Sequence, residues 1–327
     1  MFLMTGRIVG LGSYLPPRLL TNDDLSKMVE TNDEWITERT GIKQRHIADG
    51  IEDKASTMAC KAALQAIEDA GIDGSEVDLI VAASTTPDVV FPSVACCVQR
   101  AIGADGCACF DVNSACPGWV AAYNTVQSFI ESGNSKCALV IGAEMLTNYV
   151  DWEDRGTCIL FGDGAGAAVL KAVEDHPKNK FILKASAERG DCLHCENMKQ
   201  PKRFEEEGFL KATNMFMAGR EVFKFVVTEI PALITELSEK YGFNIDDVDY
   251  FVLHQANQRI IEAVAKRLGQ PLDKFPMNIQ NTGNTSSASI PILLKEMKDD
   301  GRLTPGKKIV SSSFGGGLTW GANYMVY

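Results

Sequence analysis

A chain of 327 residues, 45% hydrophobic and 23% charged, can close a substantial core, and its length fits two domains or one duplicated unit. The net charge of −11 withholds the basic footprint that nucleic-acid binding draws on, and no apolar run approaches the roughly 20 residues of a membrane span, so neither partner is expected. Met1 to Arg7 runs into the strand-like Ile8-Val9-Gly10-Leu11 without the zones of a signal peptide, which predicts a cytoplasmic protein whose ten cysteines act as small hydrophobes instead of a disulfide framework.

The elements alternate between strand and helix, as in an α/β sheet covered by helices. Thr31-Asn32-Asp33-Glu34 has the form of a capping box, and the short helix it opens places Trp35 and Arg39 at i and i+4 on one face. Residues 79–83 and 138–142 read as buried strands. Val222, Val226, Ile230, Leu233, Ile234 and Leu237 recur at helical spacing, and so do Ile260, Ile261, Val264, Ala265 and Leu268.

An internal echo organises these elements. Glu76-Val77-Asp78-Leu79-Ile80-Val81 is matched by Asp247-Val248-Asp249-Tyr250-Phe251-Val252 at an offset of 171 residues (249 − 78), and Gly71 matches Gly242 at the same offset. Lys136-Cys137-Ala138-Leu139-Val140 likewise resembles Lys307-Lys308-Ile309-Val310-Ser311. Two duplicated halves, 1–174 and 175–327, are expected, with the polar stretch of about 175–214 inserted between them. Convergence of two α/β units is the other explanation.

Residues 107–119 read as strand, tight turn and helix, the helix running through Val120, Tyr123, Val126 and Ile130. Pro117 suits the first helical position, which makes Cys116 the N-cap, facing unpaired N–H groups that favour a thiolate. Read alone, Cys116 is equally one more buried cysteine. His254 follows the strand pattern Tyr250-Phe251-Val252-Leu253, at the strand end where α/β sheets carry ligands, and its neighbours Gln255 and Asn257 are more polar than core packing needs. Asn284 lies 171 residues beyond Asn113, in the loop equivalent to the cysteine turn.

With these residues in place the chain resembles the β-ketoacyl-acyl-carrier-protein synthase III family, the initiating condensing enzymes of bacterial fatty-acid synthesis. The motifs are Cys116-Pro117-Gly118-Trp119, Leu253-His254-Gln255-Ala256-Asn257-Gln258-Arg259-Ile260, Gly283-Asn284-Thr285-Ser286, Phe161-Gly162-Asp163-Gly164-Ala165-Gly166-Ala167 and Phe314-Gly315-Gly316-Gly317-Leu318-Thr319-Trp320-Gly321. The resemblance covers nearly the whole chain. It implies a thiolase-like five-layered αβαβα fold, a homodimer and a catalytic Cys116, His254 and Asn284, with the N–H groups of Cys116 and Gly316 as oxyanion hole. It also implies an acyl-CoA and a malonyl-acyl carrier protein as substrates, with no cofactor and no metal.

By the same resemblance Trp35 and Arg155 sandwich the adenine of coenzyme A, Arg39 helps bind phosphate, and Gly219 and Asn257 contact the pantetheine arm. Phe91 would enter the acyl pocket from the neighbouring subunit, and Phe314 would flank that pocket. Lys224, Arg259, Lys266 and Arg267 would dock the acidic carrier protein. Read by itself, Gly162-Asp163-Gly164-Ala165-Gly166 precedes a strand instead of opening a helix, which disfavours a dinucleotide loop.

Three features depart from the family pattern: Pro117 with Trp119, Thr282 before Gly283-Asn284, and Asp191-Cys192-Leu193-His194-Cys195. The last, with one C-x-x-C and no second ligand pair, falls short of a structural zinc site. A biosynthetic thiolase is disfavoured because no cysteine follows Cys195. A ketosynthase of specialised metabolism with another acyl acceptor remains the alternative, ahead of a Cys-His-Asn hydrolase and a non-catalytic binding module.

Overall fold

The structure, a computed structural model, describes residues 4–174, 176–195 and 215–327. Two large mixed sheets form its frame. The first holds β1 (Thr5–Tyr14), β2 (Leu79–Ala83), β3 (Ala108–Val112), β4 (Cys137–Met145) and β5 (Asp163–Val173), in the order β1-β5-β4-β2-β3. The second holds β6 (Lys180–Ala185), β7 (Tyr250–Leu253), β8 (Lys308–Gly315) and β9 (Thr319–Val326), in the order β7-β8-β9-β6. In each sheet a parallel pair, β2/β4 or β7/β8, is followed by two antiparallel neighbours.

Helices cover every face, which is why the central strands read as unbroken apolar runs. The short α1 (Asp33–Thr40) packs apart from the sheets, through Ile36 on Leu25 and Ile42 and against the helix at Gln258–Leu268, while the outside of the first sheet is covered by α2 (Ala55–Ala70) and α3 (Val94–Ile102), whose Met58, Ala62 and Val98 pack on Ile80, Leu139 and Val169. The middle layer is α4 (Gly118–Glu131) with a partner helix at Ser289–Asp299; Trp119, Val126 and Leu293 meet Val81 and Val140 from one sheet and Val252 and Ile309 from the other. Beyond the second sheet lie α5 (Gly219–Tyr241) and α6 (Gln258–Leu268), with Val226, Ile230 and Ile261 on Phe251 and Val310. The helix Ser289–Asp299 is α7. The result is the five-layered αβαβα order that the resemblance implies.

The offset of 171 residues recurs in space. Gly71 and Gly242 are the left-handed caps of α2 and α5, and α4 and α7 begin at Gly118 and Ser289. The Asp78 N–H donates to the Cys137 carbonyl and the Asp249 N–H to the Lys308 carbonyl, both at 2.9 Å. The stretch expected as an insertion needs correction: Lys180–Ala185 is the edge strand β6, paired with β9, in the place that β1 holds in the first sheet. Only Ile182 of that strand is buried, so it carries too little apolar signal to read as a strand. Residues 196–214 of the same stretch lie outside the described residues.

Gly142 and Gly166 pair across β4 and β5, and a Cβ on Gly142 would stand 2.4 Å from the Ser287 carbonyl oxygen, one on Gly166 2.7 Å from Pro291 Cβ. The bare backbone lets the turn before α7 settle against the sheet. That turn carries Asn284.

Candidate active site

Cys116, His254 and Asn284 reach one cavity of about 750 Å³ from three elements: the β3–α4 turn, the end of β7 and the turn before α7. The cysteine turn differs from its expected geometry. Pro117 is itself the cap of α4, so Cys116 stands one residue outside the helix; Ala115 takes a φ of 50°, and the Gly118 N–H closes on the Ala115 carbonyl at 2.8 Å. The charge state also differs. Burial pushes the Cys116 thiol up to about 12, opposite to the thiolate expected from the helix end, because desolvation outweighs the partial charges there and the carboxyl of Glu144 adds to the rise. Cys116 therefore rests as a thiol.

His254 is buried, and desolvation lowers its pKa to about 3, so the ring is neutral across the physiological range. Its Nδ1 lies 2.7 Å from Ser289 Oγ, and its ring meets Phe314 edge-on at 5.4 Å. The Ser289 hydroxyl has one proton and two acceptors in reach, His254 Nδ1 and the Ser286 carbonyl at 2.8 Å, which already receives the Ser289 backbone N–H. Given to Nδ1, that proton leaves the ring hydrogen on Nε2. The nitrogen Nε2 can then donate to a ligand. Asn284 Oδ1 accepts the Ser286 N–H at 2.9 Å, which leaves the amide nitrogen as the group that Asn284 can offer. Asn113 makes the same turn with the Ala115 N–H at 3.3 Å.

Phe314, Gly316, Gly219 and Asn257 also line the cavity. The glycine loop packs on the nucleophile turn: a Cβ on Gly315 would lie 2.7 Å from the Cys116 nitrogen. Asn257 caps α6 through the Arg259 N–H and donates Nδ2 to the Arg39 carbonyl at 2.9 Å, tying α1 to the cavity mouth. The cap of α1 is Asn32, accepting from the Trp35 N–H at 2.8 Å, one residue later than the expected Thr31. The Trp35 ring is covered by two guanidiniums, that of Arg39 at 4.3 Å from the ring centre and that of Arg155 at 4.6 Å. Arg155 thus stacks on the indole directly, where a sandwiched base would have to enter.

Lys224, Arg259, Lys266 and Arg267 are exposed on the adjacent helices α5 and α6, whose first turns line the cavity through Gly219, Val222, Phe223 and Ile260. Phe91 lies apart from the cavity of its own chain and is 84% exposed, with Val90 beside it. Among the described residues no group of His, Cys, Asp and Glu is placed to hold a metal ion, Cys192, His194 and Cys195 included. No helix of the described residues is long and apolar enough to cross a membrane. Sequence reasoning missed Glu144, Ser286 and Ser289. A carboxylate at the end of the apolar run Leu139-Val140-Ile141-Gly142-Ala143 was the available signal for Glu144, and the repeat offset from Ala115 the one for Ser286.

A cysteine turn and a histidine strand end, brought together from two similarly built sheets in five layers, are the arrangement of a thiolase-like enzyme. Residues 110–188 match the family described as 3-Oxoacyl-[acyl-carrier-protein (ACP)] synthase III, and residues 238–327 match its C-terminal part. Similar chains are the beta-ketoacyl-[acyl-carrier-protein] synthase III of Clostridium acetobutylicum, 50% identical with 96% of each chain covered, and that of Xanthomonas campestris pv. campestris, 45% identical with 98% of each covered. Among solved structures, 3-oxoacyl-[acyl-carrier-protein] synthase III of Aquifex aeolicus VF5 superposes with a TM-score of 0.91 at 44% identity, covering 98% of this chain and 100% of that one. The priming beta-ketosynthase of the R1128 polyketide pathway gives a TM-score of 0.92 at 32% identity, covering 98% and 96%. The chain belongs to the β-ketoacyl-acyl-carrier-protein synthase III family, the condensing acyltransferases that initiate fatty-acid synthesis.

Proposed function

We propose that this enzyme condenses an acyl-CoA starter with malonyl-acyl carrier protein, releasing coenzyme A and carbon dioxide and leaving a 3-ketoacyl-acyl carrier protein. The observation that carries the reading is the convergence of Cys116, His254 and Asn284 on one cavity, with Gly316 against the cysteine turn.

In the first half-reaction Cys116 attacks the acyl-CoA carbonyl, and the N–H groups of Cys116 and Gly316 hold the oxyanion until the bond to the coenzyme A sulfur breaks. In the second, the malonyl thioester carbonyl accepts hydrogen bonds from His254 Nε2 and the Asn284 amide. They stabilise the enolate formed as the carboxylate leaves as carbon dioxide, and the enolate carbon then attacks the acyl-Cys116 carbonyl. Decarboxylation replaces deprotonation, so no metal, cofactor or strong base enters the step.

Coenzyme A would lie over α1, with Trp35, Arg39 and Arg155 at its nucleotide end and Gly219 and Asn257 along its arm; Arg155 must swing off the indole to admit the base. Lys224, Arg259, Lys266 and Arg267 would receive the acidic carrier protein. A cytoplasmic homodimer whose partner supplies Phe91 to the acyl pocket, and two halves meeting near residues 174–175, complete the reading. A second reading, priming with a different acyl acceptor, draws on the likeness to the polyketide ketosynthase.

The test exposes the protein to a panel of acyl-CoAs, maps the adduct by peptide mass, then adds malonyl-acyl carrier protein. Label on Cys116 followed by a 3-ketoacyl product supports the main reading. Label on Cys192 or Cys195 instead, or acylation without condensation on any carrier protein, counts against it.

A further inference from the structure

Glu144 is the penultimate residue of strand β4, is fully buried, and has no part in the chemistry above. A carboxyl so placed needs donors, and five gather on it. The Thr85 N–H and hydroxyl at 3.0 Å each and the Thr86 hydroxyl at 2.8 Å bond Oε2; the hydroxyls of Ser287 at 2.8 Å and Ser286 at 3.3 Å bond Oε1. Burial raises its pKa above the usual carboxyl range, which makes the carboxylate that these donors hold a stronger proton acceptor than an exposed one.

Ser286 is shared between this carboxyl and the nucleophile. Its Oγ stands 3.3 Å from Glu144 Oε1 and 3.3 Å from Cys116 Sγ, and a hydroxyl has a single proton to give. An ionised carboxylate only accepts, so the Ser286 proton points to Glu144 and the Ser286 lone pair is left for the Cys116 S–H. Thiol, hydroxyl and carboxylate form a directed line. Three of the five donors bond Oε2, so a proton arriving on Oε1 displaces none of them.

We propose that Ser286 and Glu144 are the proton route of the nucleophile: as Cys116 Sγ attacks the acyl carbon, its proton passes to Ser286 Oγ while the Ser286 proton passes to Glu144 Oε1. The proposal rests on Cys116 as the acylated residue. The bond formed joins Sγ to the carbonyl carbon; the bond broken joins that carbon to the coenzyme A sulfur, which leaves with the electron pair and takes a proton from water at the cavity mouth. The stored proton waits on Glu144 through the acyl-enzyme stage. It returns by the same two hops when condensation expels Cys116 as a thiolate. A route of this kind answers a need, because a thiol pushed up to about 12 does not ionise unaided, and His254, held near 3, is too weak a base to take its proton. Ser286 touches the reacting sulfur; Glu144 acts through it.

The test uses Glu144→Gln and Ser286→Ala in the full chain, with Cys116 alkylation by iodoacetamide, acyl-enzyme formation from acyl-CoA in a single turnover, and condensation of preloaded acyl-enzyme followed separately. The route predicts alkylation and acylation slowed on the order of 10²-fold in both variants. Condensation from the preloaded acyl-enzyme should be much less affected, because Cys116 leaves as a thiolate and the proton returns only after that bond has broken. A passive neighbour predicts the reverse sign, since the Glu144 charge helps raise the Cys116 thiol and its removal would speed alkylation. Alkylation at or above the unmodified rate in Glu144→Gln overturns the proposal, and so does a condensation defect equal to the acylation defect. If Glu144→Gln does not fold, Ser286→Ala decides by the same two rates. An unmodified protein that alkylates at Cys116 but takes no acyl group from any acyl-CoA defeats the functional reading, while the alkylation rates still judge the route.

Discussion

Ala115 and Ser286 are the non-glycine residues with positive φ among the described residues, at 50° and 49°, and they stand 171 residues apart, the offset that also relates Gly118 to Ser289 at the starts of α4 and α7. Each follows an asparagine turn, Asn113 before Ala115 and Asn284 before Ser286, in which the amide oxygen accepts the N–H two residues on. One turn lifts Cys116 off the start of α4. The other aims the Ser286 hydroxyl at its sulfur.

The left-handed backbone at Ala115 makes that position a sensitive test of the cysteine turn. Ala115→Gly should fold and acylate normally, because glycine adopts positive φ without steric cost. Ala115→Val should lose roughly 1–2 kcal/mol and most of its acyl-enzyme, since a β-branched side chain clashes with the neighbouring carbonyl there. Urea unfolding and intact mass after acyl-CoA report the two effects, and a Val variant with unchanged acylation would show that the turn does not place the thiol.

The two half-reactions should separate by residue. Cys116→Ala should form no acyl-enzyme. His254→Ala and Asn284→Ala should still acylate but condense slower on the order of 10²–10³-fold, because the hydrogen bonds they supply are made to the malonyl thioester and not to Cys116. Mass of the protein and yield of 3-ketoacyl product, followed separately, check this. Normal condensation in His254→Ala would remove it from the mechanism.

Ser289 is expected to act through His254. Ser289→Ala removes the hydroxyl 2.7 Å from Nδ1, after which the ring proton is free to settle on Nδ1 and leave Nε2 without a hydrogen to donate. Condensation should fall by roughly the 10² that one oxyanion donor contributes, with acylation unchanged. Ser289→Thr, which restores a hydroxyl, should recover part of the rate if it is accommodated. Equal loss in both half-reactions of Ser289→Ala would point to packing instead.

Much of this architecture was legible in the sequence because its helices and strands carry their burial as a period. The strand 79–83 is bounded as expected, since both of its faces are buried and every residue of it is apolar. His254 and Asn284 could be placed because a strand end and a repeat offset are one-dimensional signals. The thiol's charge state was not legible: it depends on how much protein surrounds Cys116, and that is decided by Gly315, Ser286 and Glu144, from elements far away in the chain. Strand β6 was hidden for the opposite reason. An edge strand with a single buried residue, Ile182, looks like a polar linker.

Burial of His254 should be visible in the stability of the whole protein as a function of pH. Its folded pKa of about 3 lies below the ordinary 6.5, so between those values the unfolded chain binds a proton that the folded one refuses. The stability this residue contributes is therefore full above pH 6.5 and is lost as pH falls toward 3. The limiting slope is about 1.4 kcal/mol per pH unit, so from pH 7.5 to 5 the contribution of His254 should drop by about 2 kcal/mol. Asp163, whose carboxyl burial raises to about 6, acts in the opposite direction over part of this range, and burial shifts Glu144 in the same sense as Asp163. They remain in both proteins when the unmodified chain is compared with His254→Ala, so their terms cancel in the difference. Urea unfolding at several pH values should find the gap between the two proteins shrinking steadily as pH falls below 6.5, whatever its size at pH 7.5. A gap independent of pH would mean that His254 carries the same charge folded and unfolded, and that burial does not hold its ring neutral below pH 6.5.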